Sequence, residues 1–527
     1  MTHNGTAQTQ WRFSHELWRD AIAGSTARAE IALTAAQALA AELQAEPKPT
    51  PARLDHLLRV AELADGQPQP GAAALVPLLQ QAAQAAREDG DRQREATLRR
   101  MLLRNMEPSG PAFALAAIET ALVVPAVEAT ALCRQAAQVA ERAQRLDLQA
   151  RATATEGQFF RQQRRLQEAE ARGREGLELA RASSSEREVA RALNLLALTL
   201  RLLARKDEAF ALSEESERLF RVLGDLAGVA KAAHLRAQLH QDEGDLARAL
   251  EDFAEVLDLQ ELAGEKLAAA RTRGNIGYTH WRMGNLAEAR RHMEAAVDAM
   301  RAGGARRDQA LGHQNLGSVA MEGGDYARAA HHYARLLELA LELGATELEA
   351  HGYGNLAVLA LNLGDRDGAA AAVKQAQRAM GGSQQPDLRC LILDSQARLH
   401  LLDGNPGAAL PLLRQSEELA TKNGLLTWLG DCMRLQAEAH AARGAADQAR
   451  GCAQAALEAF DQAGAGRSAQ YAFAVALAAD MEARCGNSED ARFLAQDADS
   501  LLRALNYGPD HPDPDVRRAI NMIRLLA

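Results

Sequence analysis

Gly224, Gly244, Gly264, Gly284, Gly304, Gly324, Gly344, Gly364, Gly404, Gly424, Gly444 and Gly464 recur every twenty residues. One rung, Gln384, breaks the ladder, and Gly382 stands two places before it. Glycine adopts the left-handed backbone conformation that closes a helix without steric cost, so a ladder of this spacing marks helix ends. The chain is therefore expected to be all-α, a tandem array of helices. A length of 527 residues would otherwise suggest several compact domains. A fixed internal period overrides that expectation, because stacked repeats lengthen without adding globular cores.

A forty-residue ruler exposes two further series. Ala117, Gly157, Ala197, Ala237, Gly277, Gly317, Ala357, Ala397 and Ala437 are all small, and Ala129, Ala169, Ala209, Ala249, Ala289, Ala329, Ala369, Ala409 and Ala449 hold a second register. After Gly464 a two-residue insertion shifts every series together, so that they continue at Ala479, Gly486 and Ala491. Series that slip in step belong to one repeating unit. Each unit reads as a helix pair: the first helix runs from about Leu267 to Met283, and the second from about Leu286 to Arg301. Small residues on both helices let the backbones approach, with Ile276, Ala289 and Val297 as the shared apolar seam. Enlarging Ala289 or Ala329 to leucine is expected to overpack that seam at about 1–3 kcal/mol.

The segments RGNIGYTHWRMGNLAEARRHMEAAV, HQNLGSVAMEGGDYARAAHHYARLL and YGNLAVLALNLGDRDGAAAAVKQAQ resemble the tetratricopeptide repeat. They share its leucine or isoleucine before a small residue, its turn glycine and its alanine opening the second helix. HEAT and armadillo repeats of similar period lack this order. A period of forty, longer than the usual 34, is similar to the repeats of kinesin light chain, Pins-type adaptors and the Rap and PlcR regulators. The resemblance implies an α-solenoid of about ten helix pairs wound into a right-handed superhelix whose first helices line a groove.

The ladder divides the chain into a disordered tail (residues 1–12), N-terminal helices (13–46), diverged helical repeats (52–106), the forty-residue solenoid (111–505) and a C-terminal capping helix (513–526). Closely spaced prolines in PKPTP, from Pro47 to Pro51, break the N-terminal helices. Leu54 to Gly90 resembles a helix pair out of phase with the rest. In the last helix Asp513 is the expected N-cap, Pro514 lies in the first turn, and Val516, Ile520 and Ile523 face the final repeat.

A net charge of -10 argues against phosphate-backbone binding. Only six lysines accompany the many arginines, a bias that follows from a GC-rich genome more readily than from anion recognition. Cys133, Cys390, Cys432, Cys452 and Cys485 show no metal-ligand spacing. The polar start lacks a signal-peptide profile, and no apolar run reaches the roughly 18 residues of a membrane span. A cytoplasmic protein with no nucleic-acid or membrane partner is expected.

One polar stripe recurs on the first helices: Arg271, Asn275, Tyr278 and Arg282, then Leu311, Asn315, Ser318 and Glu322, then His351, Asn355, Val358 and Asn362. Spacings of four, three and four put each set on one helix face. Asn275, Asn315 and Asn355 form a ladder of amides, each able to donate to and accept from a peptide backbone; the resemblance implies that use. Chaperone adaptors of this family clamp a carboxylate with lysines at places that read Gly274 and His351 here, which disfavours that role. His280, His292, His313, His331, His332 and His351 carry no zinc motif, and Asp510, Asp513 and Asp515 lack the glycine and glutamate of a calcium loop. No nucleophile elbow or phosphate loop is present. The expected function is a non-catalytic scaffold, without metal or cofactor, that binds an extended peptide or a partner helix. The alternatives are a peptide sensor whose superhelix changes shape on binding, and self-association.

Overall fold

The computed structural model describes residues 76–88, 91–383, 385–466, 468–505, 507–511 and 513–526. The readings for the tail, the N-terminal helices, PKPTP and Leu54 to Leu75 lie outside the described residues, as do Gly90 and the broken rung at Gln384.

Among the described residues there are twenty-three α-helices and no strand. They are α1 (Val76–Glu88), α2 (Arg92–Arg104), α3 (Gly110–Ala121), α4 (Ala126–Arg142), α5 (Leu146–Gln162), α6 (Leu166–Ala182), α7 (Glu186–Leu202), α8 (Lys206–Val222) and α9 (Leu226–Glu243). The series continues with α10 (Leu246–Leu262), α11 (Lys266–Arg282), α12 (Leu286–Ala302), α13 (Arg306–Glu322), α14 (Tyr326–Glu342), α15 (Thr346–Leu363) and α16 (Arg366–Met380). It closes with α17 (Pro386–Leu402), α18 (Pro406–Asn423), α19 (Leu426–Ala442), α20 (Ala446–Gln462), α21 (Ala469–Arg484), α22 (Ser488–Ala504) and α23 (Pro514–Leu526). Two compact units divide at Leu235 and Arg236, inside α9.

The ladder glycines close the helices as their chemistry dictates. Gly244 has φ +85; its N–H donates to the Gln241 carbonyl, and the next N–H, of Asp245, donates to that of His240. This pair of reversed bonds satisfies carbonyls that the helix end leaves open. The residue after the glycine then starts the next helix. The side chains of Asp245, Asp325, Asp365 and Asn405 accept from the N–H three residues on. Upstream, the same twenty-residue spacing persists without glycine: Gln144, Arg164, Ser184 and Ala204 take φ of 54, 61, 56 and 58. Near the broken rung, α16 ends early at Met380, and Gly381 rather than Gly382 adopts positive φ.

Helix pairs are held by contact between the two small-residue series. All nine alanines of the second-helix series, from Ala129 to Ala449, are fully buried. A Cβ placed on Gly157 would lie 3.0 Å from the Ala169 carbonyl oxygen, and one on Gly277 would lie 3.0 Å from that of Ala289. The apolar core is correspondingly divided into small clusters rather than one mass. The seam expected from Ile276, Ala289 and Val297 splits between two of them. Ile276 packs back on Ala237, Ala249 and Phe253, whereas Ala289, Met293 and Val297 pack forward on Leu316 and Val319. A middle helix shares both its faces, so adjacent side chains serve different neighbours.

In the first unit, α1 packs on α2, and the pairs α3 with α4 and α5 with α6 stack in order. In the second unit the first helices α11, α13, α15, α17, α19 and α21 touch their successors directly. The two-residue slip is accommodated there: Gly486 takes φ +88, and Ala479 and Ala491 are buried. The side chain of Asp513 accepts from the Asp515 N–H at 2.8 Å. Val516 and Ile523 bury against the last pair as expected, and Ile520 packs at their edge. Beyond that capping contact, α23 also touches α15, three helix pairs upstream.

Candidate functional site

The polar stripe lies on the first-helix face of the second unit. Arg271 and Tyr278 are exposed, while Asn275, Asn315, Ser318, Glu322, His351, Asn355 and Asn362 are half-buried. The stripe side chains that can carry a charge each bridge to an adjacent first helix. Arg271 in α11 reaches Asp308 in α13 at 2.6 Å. Trp281 donates its indole N–H to Glu322. His351 in α15 stands 4.0 Å from Asp387 in α17, and Arg398 in α17 donates to the Asn362 amide oxygen at 3.1 Å. Residues about forty apart share a rung because each repeat sets its first helix beside the last.

The three asparagines differ in their surroundings. The Thr279 hydroxyl donates to the backbone carbonyl of Asn275. The amide nitrogen of Asn355 is buried and has no hydrogen-bond partner among the described residues. Ser318 is turned toward its own second helix, donating to the Gln314 carbonyl and standing 3.5 Å from the Tyr333 hydroxyl. Burial raises the Glu322 carboxyl above its ordinary range, and the Trp281 N–H opposes that rise. Tyr278 meets Trp281 edge to face at 5.6 Å.

Arg282 ends the stripe differently. One guanidinium nitrogen donates to the Gln241 carbonyl and the other, at 3.4 Å, to that of Ala463, 181 residues further on. A Cβ on Gly464 would come 3.1 Å from the same guanidinium. The far end of the unit thus returns to the end of α11.

Extending the ruler two rungs beyond those read from the sequence, the place of Ser318 and Val358 is taken by Arg398 and Glu438. Both are engaged by the chain's own C-terminal helix, through Asp515 at 2.8 Å and Arg518 at 2.6 Å. Beside them Arg434 is buried and paired with Asp431 and Glu438 at 3.0 and 2.6 Å. Continuing the forty-residue count was the signal that would have found them. A pocket of about 400 Å³ opens nearby, between Leu286, Leu316 and Val319 and the C-terminal residues Leu505, Tyr507 and His511, with Arg290 and Arg328 at its edge.

Four of the histidines form two pairs. His280 stacks on His292 with centroids 5.5 Å apart. The Nδ1 atoms of His313 and His332 are 3.1 Å apart, so one ring must donate and the other accept. Burial first, then neighbouring cationic groups, pushes both pKa values down to about 4. Two neutral rings sharing a proton explain the pair without a metal. Among the described residues, no three His, Cys, Asp or Glu side chains gather as a metal site would require, and no helix is long and apolar enough to cross a membrane.

Residues 228–302 match the family model of the tetratricopeptide repeat. No curated protein matches the chain. Among solved structures it is similar to a Rap protein complexed with competence and sporulation factor, at 14% identity over 66% of this chain and 98% of that one, TM-score 0.47. It is similar to the apo form of RapI at 15% identity over 51% and 97% of the two chains, TM-score 0.43. A STAND signal-transduction ATPase with a tetratricopeptide repeat sensor, from Pyrococcus horikoshii, is 13% identical over 77% of this chain and 55% of that one, TM-score 0.44.

Proposed function

We propose that the first-helix face of the second unit binds an extended peptide or partner helix of another protein, and that the chain is a non-catalytic interaction scaffold. Its setting would be the cytoplasm, where its five free cysteines stay reduced. Stacked helical repeats present long faces suited to this use. The carrying observation is the amide ladder Asn275, Asn315 and Asn355, three half-buried side chains forty residues apart on that face. A half-buried side-chain amide donates to a peptide carbonyl and accepts a peptide N–H through its exposed edge.

The test is selection of binding peptides from a displayed random library, followed by titration of the tightest one onto wild type and Asn275→Ala/Asn315→Ala/Asn355→Ala. The triple variant should keep its helical content and melting temperature while affinity falls tenfold or more. Equal affinity for both proteins would remove the ladder from the binding mechanism.

A second reading, a peptide sensor that changes shape, is favoured by the Arg282 bond to the Ala463 carbonyl, which joins distant repeats. Small-angle scattering during the same titration separates the two. A sensor changes dimension as ligand saturates, whereas a static scaffold does not.

A further inference from the structure

After α22 the chain leaves the helix-pair pattern and turns back over the first-helix face. Tyr507 donates its hydroxyl to the Glu322 carbonyl, and Tyr326 donates to Asp513 at 3.3 Å. The His511 ring lies 4.4 Å from that of Tyr507 and meets Tyr326 edge-on at 6.1 Å. It sits so close over the α13–α14 turn that a Cβ on Gly324 would be 2.8 Å from its Nε2. One turn on, Asp515 pairs with Arg398 and Arg518 with Glu438. These anchors are 80 to 187 residues from the segment in sequence, and each is a side-chain contact of the kind that holds a bound peptide.

The seat and the segment are complementary. Arg398 faces Asp513 and Asp515 and buried Arg434 faces Asp515, and burial of Asp515 is outweighed by Arg398, Arg518 and Arg434, which hold its carboxyl below the usual range. Glu438 in turn faces Arg518. Arg398 and Glu438 continue the stripe that begins at Tyr278 and Ser318, so the segment occupies the downstream rungs of the face to which partner binding is assigned above. The apolar side of α23, with Val516, Ala519 and Ile523, covers α21 and α22.

We propose that residues 505–526 are an intramolecular ligand of this face. The partner that the face accepts is a segment of the same chemistry, which competes with it: an aromatic residue, then aspartates leading into a helix that carries Asp and Arg three residues apart. This rests on the first-helix face being the binding surface. The segment also reaches the ends of the rungs that carry Asn315 and Asn355, through the Glu322 carbonyl and the contact of α23 with α15.

The experiment uses the full chain and a fluorescein-labelled synthetic peptide of residues 505–526. Tyr507→Phe/Asp515→Arg/Arg518→Glu breaks the polar anchors and leaves the seat and the apolar contacts intact. Amide hydrogen exchange in the 513–526 helix should accelerate tenfold or more, and the peptide should bind this variant at least tenfold more tightly than wild type. Adding Arg398→Glu to Asp515→Arg swaps one ion pair and should restore protection from exchange. Unchanged exchange in the triple variant, or no rescue by the swap, overturns the seating. Released segment with no gain in peptide binding overturns its role as a ligand while leaving the asparagine-dependent reading to its own test. Should the triple variant lose helical content, Tyr507→Phe alone decides, since it removes one oxygen and must still raise exchange in residues 507–513.

Discussion

Gly444 and Gly451 make a matched pair for testing what the glycine ladder does. Gly444 is a rung, with φ +75, and Gly451 lies inside α20; a Cβ at either position meets no atom within 4 Å. Alanine therefore adds no clash at either site, and only backbone conformation differs. At Gly444 an L-residue in the left-handed region costs about 1–2 kcal/mol. The smaller unfolded-state entropy of alanine offsets about 0.4–1 of that, leaving about 1 kcal/mol of destabilisation. At Gly451 the same substitution gains about 0.8–1 kcal/mol of helix propensity. The two variants should differ by about 2 kcal/mol, in opposite directions from wild type. Repeat arrays need not unfold in one step, so denaturation midpoints are best read beside local hydrogen exchange of α20 amides. A Gly444→Ala protein as stable as Gly451→Ala would refute the assignment of the ladder to left-handed helix closure. The mirror substitution, Ala204→Gly at φ 58, should stabilise the first unit by about 0.5–1 kcal/mol.

Gly317→Ala places a Cβ 2.3 Å from the ring of buried Tyr333 and should destabilise by about 1–3 kcal/mol. Tyr333→Val, the residue found forty places on at Val373, should recover part of this in a double-mutant cycle read by urea midpoints. Asp394 is buried with neither carboxyl oxygen hydrogen-bonded among the described residues, and burial raises its pKa to about 8. The folded chain then holds a proton that the unfolded chain has lost from about pH 4 upward, so stability falls as pH rises toward 8, and Asp394→Asn should flatten that slope in thermal melts. Burial also pushes the thiols of Cys133 and Cys390 up to about 12 and 11. In the native protein both should react with a maleimide far more slowly than exposed thiols do, and unfolding should equalise them.

The forty-residue phase was readable in the chain because it is written in backbone chemistry. A glycine that must take positive φ, and an alanine against which a second backbone must close, leave few substitutes. Where strain is tolerated the signal disappears: Gln144, Arg164, Ser184 and Ala204 occupy the same conformation as the glycines, and no residue type announces it. The N-cap aspartates and the helix limits follow from local bonds, which is why α11 and α12 fall within a residue or so of their expected spans.

Contacts between distant repeats obey no such local rule. Ile276 and Val297 read as one seam, yet the stacking of the array gives them to different neighbours. The stripe reads as a row of free ligands, yet Arg271, Glu322, His351 and Asn362 each meet a side chain on an adjacent first helix. Asp513 was identifiable as a helix cap from its place before Pro514. That the segment around it returns to Tyr326 and Arg398 depends on how far successive helix pairs rotate about one another. Sequence alone determined the repeat, its phase and the face each residue occupies, because these arise from periodicity and φ. Only the tertiary structure decided which faces meet, since small rotations summed over many repeats bring together residues that no spacing relates.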